Sequence, residues 1–224
     1  MIAAAVASAG PIADRPAELL VLLAALALVP AALVTLTSFL KIAVVLSIAR
    51  SALGAPQVPP NSAVTGLALV LTALVMAPVG EASLAALREA PPERGVAGTL
   101  AAVERGAAPL KAFLARFARP DDRAAFLDVA RRLRGPEGEQ AGEEDLAVLA
   151  PAFVVSELRR AFTIGFLVFV PFLVVDLVVS NVLLALGLTQ LSPTSVALPF
   201  KLLLFVAVDG WKLLARALAL SYAG

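Results

Sequence analysis

Hydrophobic and polar positions divide the chain into three regions: an apolar stretch, a charged stretch, and a second apolar stretch. From Ala17 to Leu46 nearly every residue is apolar, interrupted by Pro30 and Lys41. A bilayer span needs about 20 apolar residues, so this run is long enough for one helix, with a kink expected where Pro30 removes a backbone donor. The segment RSALGAPQVPPN (Arg50–Asn61) reads as a linker. Its Gly54 can end a helix, and Pro56, Pro59 and Pro60 prevent its continuation. Asn61 then suits the N-cap of a second apolar helix from Ser62 to about Val79, ending near Pro78 and Gly80. Residues 17–80 are therefore a first apolar helical hairpin.

Between Glu81 and Ala150 the pattern becomes amphipathic and charged. Leu100, Val103, Ala107, Leu110, Phe113, Leu114 and Phe117 recur at three- and four-residue steps, which predicts a helix with a break at Pro109. Asp121 and Asp122 suit the start of a second helix with Phe126, Val129 and Leu133 inward and Arg123, Arg131, Arg132 and Arg134 outward. GPEGEQAGEE (Gly135–Glu144) reads as a flexible acidic loop. So few large apolar groups make a marginal core, so this insert (81–150) must lean on its neighbours.

The second apolar region, 151–224, predicts another hairpin. Pro151 suits a first helical turn and Gly187 the position just past a helix end. A helix over Pro151–Leu186 would be roughly 54 Å long, more than a bilayer core, so it should begin in the polar region and bend at Pro171. LTQLSPTS (Leu188–Ser195) is an uncharged turn, followed by a final helix from Val196 to about Leu220. Residues 1–16, with small residues and two prolines, read as a short disordered leader; a cleaved signal peptide is the alternative, though no Lys or Arg precedes Gly10. The fold class is an all-α membrane protein: two long kinked helical hairpins flanking a small charged helical insert.

Composition narrows the function. Hydrophobic residues make up 60% of the 224 and charged ones 16%, against about 45–50% and 25% in soluble domains. The net charge of +1 gives no reason to expect a nucleic-acid partner. The absence of cysteine excludes disulfides and thiolate sites, and the absence of histidine removes the commonest metal ligand and general base. No catalytic, metal or cofactor-binding set can be assembled, so the chain reads as a non-enzyme without cofactors. Arg50 is the only charge near either hairpin tip and weakly favours both tips facing the cytoplasm, with the insert outside.

Several segments resemble the FliP/SctR family of type III export-apparatus proteins. They are LTSFLKIAVVLSIARSALG (Leu36–Gly54), QVPPN (Gln57–Asn61), VMAP (Val75–Pro78), PAFVVSELRRAFTIGFLVFVPFLVVDLVVSNVLLALG (Pro151–Gly187) and SPTSVALPFKLLLFVAVDGW (Ser192–Trp211). The resemblance covers both hydrophobic regions, and the ordered set is specific. It implies a homopentamer at the bacterial inner membrane, joined by two smaller membrane proteins and the large export-gate protein of the same system. That assembly would form a conical channel for unfolded secreted proteins, with residues 81–150 periplasmic. The LSP turn and the short length favour the injectisome branch over the flagellar one. Family members carry three methionines where this chain has Leu188, Thr189 and Gln190. A ring of adaptable Met can seal around varied peptides, whereas Leu–Thr–Gln gives a more polar and less adaptable one.

The resemblance thus places the pore constriction at Leu188, Thr189, Gln190 and Leu191. Pro171 and Pro199 are candidate hinges, since a proline frees carbonyls that neighbouring helices must satisfy; fixed kinks are the equal alternative. Lys41, Asp176, Lys201 and Asp209 lie inside apolar runs, and charges there normally find a partner or line a pathway. Asp209 and Lys212 can pair at i,i+3, as can Glu157 and Arg160. The resemblance suggests Glu157 of one subunit opposite Lys201 of the next, and an inter-subunit contact at Asp176. A secondary transporter or proton channel using Asp176, Asp209, Lys41 and Lys201 remains the alternative, although the hairpins share no evident internal repeat. No Walker-type phosphate loop is present, so export energy would come from elsewhere.

Overall fold

The computed structural model describes residues 16–55, 58–89, 96–135 and 142–223, and among these every regular element is helical. The expected leader, apart from Pro16, and most of the acidic loop lie outside the described residues, as do Pro56 and Gln57 of the linker. In chain order the helices are α1 (Pro16–Thr35), α2 (Phe39–Ala52), α3 (Asn61–Glu89), α4 (Val96–Phe117), α5 (Pro120–Arg134), α6 (Leu146–Ala185), α7 (Pro193–Ala207) and α8 (Gly210–Leu220).

Several helix boundaries differ from the sequence expectation. The first apolar run does not break at Pro30, which lies inside α1; it breaks at Leu36–Ser38. There Thr35 and Thr37 hydroxyls donate back to the carbonyls of Ala31 and Leu33, and the Phe39 amide donates to Thr37 Oγ1. Hydroxyls that bond the preceding turn compete with the main-chain ladder and bend helices. The second run continues through Pro78 and Gly80 to Glu89, because the following EASLAALRE is rich in helix formers. Asn61 does not cap it: the amides of Ala63 and Val64 donate to Pro60 O, and the Asn61 side chain accepts from Arg50. Pro109 and Pro151 likewise sit inside helices, and α6 starts at Leu146 behind Asp145. The final helix is two helices, broken where Asp209 adopts a left-handed φ of 52°.

The end of α6 follows expectation. Gly187 has φ 71°, its amide donates to Leu184 O at 3.0 Å, and the Leu188 amide donates to Leu183 O at 2.9 Å. This is a Schellman motif, which the lack of a Cβ at Gly187 permits.

Packing forms two cores along α6. The first joins α2, α3, α6, α7 and α8 around Ile42, Val45, Leu46, Ala49, Leu71, Phe172 and Phe205. Lys41, Val45, Ala49 on α2 and Glu157, Ala161, Gly165 on α6 are buried at four-residue steps, so the two helices meet along matching ridges. Between them a Cβ on Gly165 would lie 2.4 Å from Ile48 Cδ1, so only glycine fits without Ile48 moving. The second core joins the insert to the start of α6: Phe113, Leu114 and Phe117 of α4, Leu149, Ala152 and Phe153 of α6, and Tyr222 beyond α8. The insert does lean on its neighbours, but α5 is less amphipathic in practice than its pattern. Phe126 packs inward, whereas Val129 and Leu133 are exposed.

Candidate functional site

Within their apolar runs the helices bury Lys41, Glu157 and Lys201 and show their hydrocarbon. On α6, Phe162, Phe166, Leu167, Leu173, Val174, Leu177 and Val178 are exposed, and only 11% of its most apolar window is buried inside the chain. A core helix of a soluble protein would be mostly buried, so this surface is built for lipid or for other protein. Helices α3 and α6 are each long and apolar enough to cross a membrane. Between α6 and α7 lies an apolar groove of about 450 Å³, lined by Val174, Val178, Val182, Val196 and Phe200 among others.

Two buried ion-pair centres sit along α6. In the first, Lys41 Nζ lies 3.3 Å from Glu157 Oε2, with the two side chains 2% and 0% exposed. Arg160, one turn along, donates to Glu157 Oε1 at 2.8 Å. The Tyr222 hydroxyl donates to Glu157 Oε2, and the Lys41 ammonium stands 3.5 Å from the centre of the Tyr222 ring. Burial and the nearby Glu157 carboxylate hold the Tyr222 phenol above its ordinary range, so it remains a neutral donor. Glu157 therefore receives three donors, which is what a carboxylate needs to sit in a dry interior.

In the second centre Lys201 of α7 donates to Asp176 Oδ2 at 2.6 Å and to the Ala52 carbonyl at 3.2 Å. Ala52 is the last residue of α2, so the ammonium also caps that helix at its negative end. Gly54, with φ 76°, brings the first hairpin turn against Lys201, Thr194 and Leu198. Asp176 Oδ1 has no hydrogen-bond partner among the described residues, and the Asp176 side chain is 34% exposed.

A third polar group ties the insert down. The Ser156 hydroxyl donates to Asp122 at 2.7 Å and accepts the Arg119 amide at 2.9 Å, while Arg159 reaches Asp122 at 3.3 Å. Asp122, expected to start α5 as a capping residue, is instead buried in this contact.

The expected site residues are distributed as follows. Glu157 and Lys201 each have acid–base partners within the chain, in separate centres, and do not meet there. Asp209 pairs with Lys212 at 3.4 Å on the surface, at i,i+3. Leu188, Thr189, Gln190 and Leu191 are all exposed at the tip between α6 and α7. Pro171 and Pro199 are exposed and lie within continuous helices. Sequence reasoning missed Tyr222: an aromatic beside the last helix carries no mark of its tertiary partners. No group of three or more Asp or Glu that could hold a metal ion occurs among the described residues.

Residues 22–218 match the model of the FliP family. The chain is 47% identical over 212 residues to the flagellar biosynthetic protein FliP of Pectobacterium carotovorum, covering 92% of this chain and 78% of that one. It is 44% identical to the Yop proteins translocation protein R of Yersinia pestis, over 92% of this chain and 96% of the relative. Identity is 43% to the hypersensitivity response secretion protein HrcR of Ralstonia nicotianae, over 92% and 97%.

Proposed function

The chain belongs to the FliP family, and from that premise we propose that it is a core subunit of a type III secretion export gate, ringed with copies of itself around a protein-conducting channel. Members of the family are structural parts of export apparatus at the inner membrane, not enzymes, and this chain is such a part. The ring, the channel and the partners are the proposal. Its partners are two smaller export-apparatus membrane proteins and the large export-gate protein, and its cargo is unfolded secreted protein. Residues 81–150 face the periplasm.

The observation that carries the ring is the uncovered apolar surface of α6 and α7 beside side chains whose charges are already neutralised. Copies packed through that surface leave the exposed Leu188–Leu191 tips free to converge into a constriction. Opening is passive, with Pro171 and Pro199 as the places where the helices yield. Asp176, a third of whose side chain is exposed, is suited to a contact with a neighbouring copy. Intrachain partners neutralise Glu157 and Lys201 within one subunit, and the pairing of Glu157 with Lys201 of the next copy belongs to the proposal. The intrachain partners also bind the groups that a proton pathway would need free.

Native mass spectrometry of the detergent-extracted chain, co-expressed with its two smaller partners, tests the proposal. A five-copy ring carrying the partners is expected. A monomer or dimer indifferent to them would overturn it.

A further inference from the structure

Helix α8 is joined to α7 through a residue in the left-handed region, Asp209, and is held at its far side by one buried side chain. Leu214 and Leu218 of α8 enter the first core, but beyond them Tyr222 crosses into the second. There its ring packs 4.9 Å from Phe117 edge-on and 5.9 Å from Phe113 in a stacked arrangement. The same ring covers the Lys41 ammonium, and its hydroxyl serves Glu157. One side chain thus touches the first hairpin, the insert and α6 at once.

We propose that Tyr222 is a positioning residue that straps the Gly210–Ala223 segment across the joint between insert and hairpins and completes the shell of the buried Lys41–Glu157 pair. Three observations carry it independently. The ion pair is dry, so each donor to Glu157 matters. The ring meets two aromatic rings and an ammonium, an arrangement no aliphatic residue reproduces. The left-handed turn at Asp209 redirects the chain so that α8 is a separate piece rather than the continuation of α7. With the strap released, the insert keeps its Ser156–Asp122, Arg159–Asp122 and Arg119–Ser156 contacts and its apolar packing on α3 and α6.

The chain has no cysteine, so single reporters can be introduced cleanly. Ala118→Cys places a thiol in the Tyr222 core, at a position 4% exposed, and Ala197→Cys places one at a fully buried position on α7. Maleimide labelling of the detergent-extracted full chain reads local opening at each. Tyr222→Ala is expected to speed labelling at position 118 about tenfold while leaving position 197 unchanged. Tyr222→Phe keeps the ring and removes only the hydroxyl; it should also speed labelling at 118, but not in a Lys41→Met, Glu157→Met background, where no buried carboxylate remains to serve. Unchanged labelling in Tyr222→Phe would overturn the role assigned to the hydroxyl. So would an equal rise at 197, which would mean general unfolding rather than a released strap. The readout does not involve the ring or secretion, so it stands or falls apart from the proposed function.

Discussion

Lys41→Met removes one charge from the most deeply buried ion pair in the described residues and leaves Glu157 in place. Both side chains are essentially inaccessible, at 2% and 0%. Removing one partner of such a pair destabilises by about 3–5 kcal/mol, because the remaining charge is left in a medium that solvates it poorly. Here Arg160 still donates to Glu157 at 2.8 Å from the half-buried rim. The lower end, about 3 kcal/mol, is therefore expected. For a chain of this size that corresponds to a fall in Tm of about 6–12 °C at roughly 2–4 °C per kcal/mol. Lys41→Met combined with Glu157→Met removes both charges and keeps the volume. It should return to within about 1 kcal/mol of the original or exceed it, since a buried pair replaced by packed hydrocarbon is often neutral or stabilising. Glu157→Met is destabilising as well, because it leaves Lys41 unpaired, so the double-mutant cycle is expected to show a coupling above about 3 kcal/mol. Far-UV circular dichroism melts of the four detergent-solubilised proteins measure it. If the double variant's loss equals the sum of the two single losses, the two charges are not coupled and the buried-pair account is wrong. If Lys41→Met melts with the unaltered protein, water reaches Glu157 and the burial is overstated.

Three further outcomes follow from local geometry. Gly165→Ala puts a methyl 2.4 Å from Ile48 Cδ1 at the crossing of α2 and α6; it should lower stability by about 1–3 kcal/mol in the same melts, with Ile48→Ala restoring most of the loss. Asp209→Gly relieves a left-handed residue at φ 52° and should leave stability unchanged or raise it by up to about 1 kcal/mol, a fall meaning that the Lys212 contact outweighs the backbone term. Leu191→Asp changes a side chain 49% exposed at the tip and should shift stability by less than about 0.5 kcal/mol, while cargo secretion from cells drops if the tips form the constriction. Normal secretion with Leu191→Asp would remove the tip from the pore.

The apolar-charged-apolar plan was legible because it depends on composition over long windows, and Gly187 was legible because a left-handed helix end selects for glycine. The proline positions misled. Pro30, Pro78, Pro109 and Pro151 all lie inside helices that continue past them, so none of them ends its helix. A single proline removes one backbone bond, which a long helix with tertiary contacts tolerates. The breaks that do occur lie at Leu36–Ser38 and Val208–Asp209, where side-chain bonding and one left-handed residue act, and neither follows from hydropathy. At the candidate site, unusual charges could be identified from the sequence because apolar surroundings make them conspicuous. Their i,i+3 partners, Lys212 for Asp209 and Arg160 for Glu157, could be read as well, but the distant ones could not: Lys201 reaches Ala52 across 149 positions, and Tyr222 reaches Glu157 across 65.

Where the two acids sit on α6 explains how the helices know their neighbours. In lipid, apolar side chains gain little by meeting each other rather than acyl chains, so hydrophobic packing alone selects no particular partner. Helix α6 carries Glu157 and Asp176, about 29 Å apart along an ideal axis, and each meets a lysine from a different helix. Lys41 fixes α2 against the early part of α6, and Lys201 fixes α7 against the later part while holding the end of α2 through Ala52. A charge without its partner is expensive in either place, so exchanging α2 for α7 would align neither pair with its acid and would be rejected on electrostatic grounds. The two pairs therefore specify the order of helices around α6, and the apolar side chains that α6 leaves exposed stay free for lipid or for other protein.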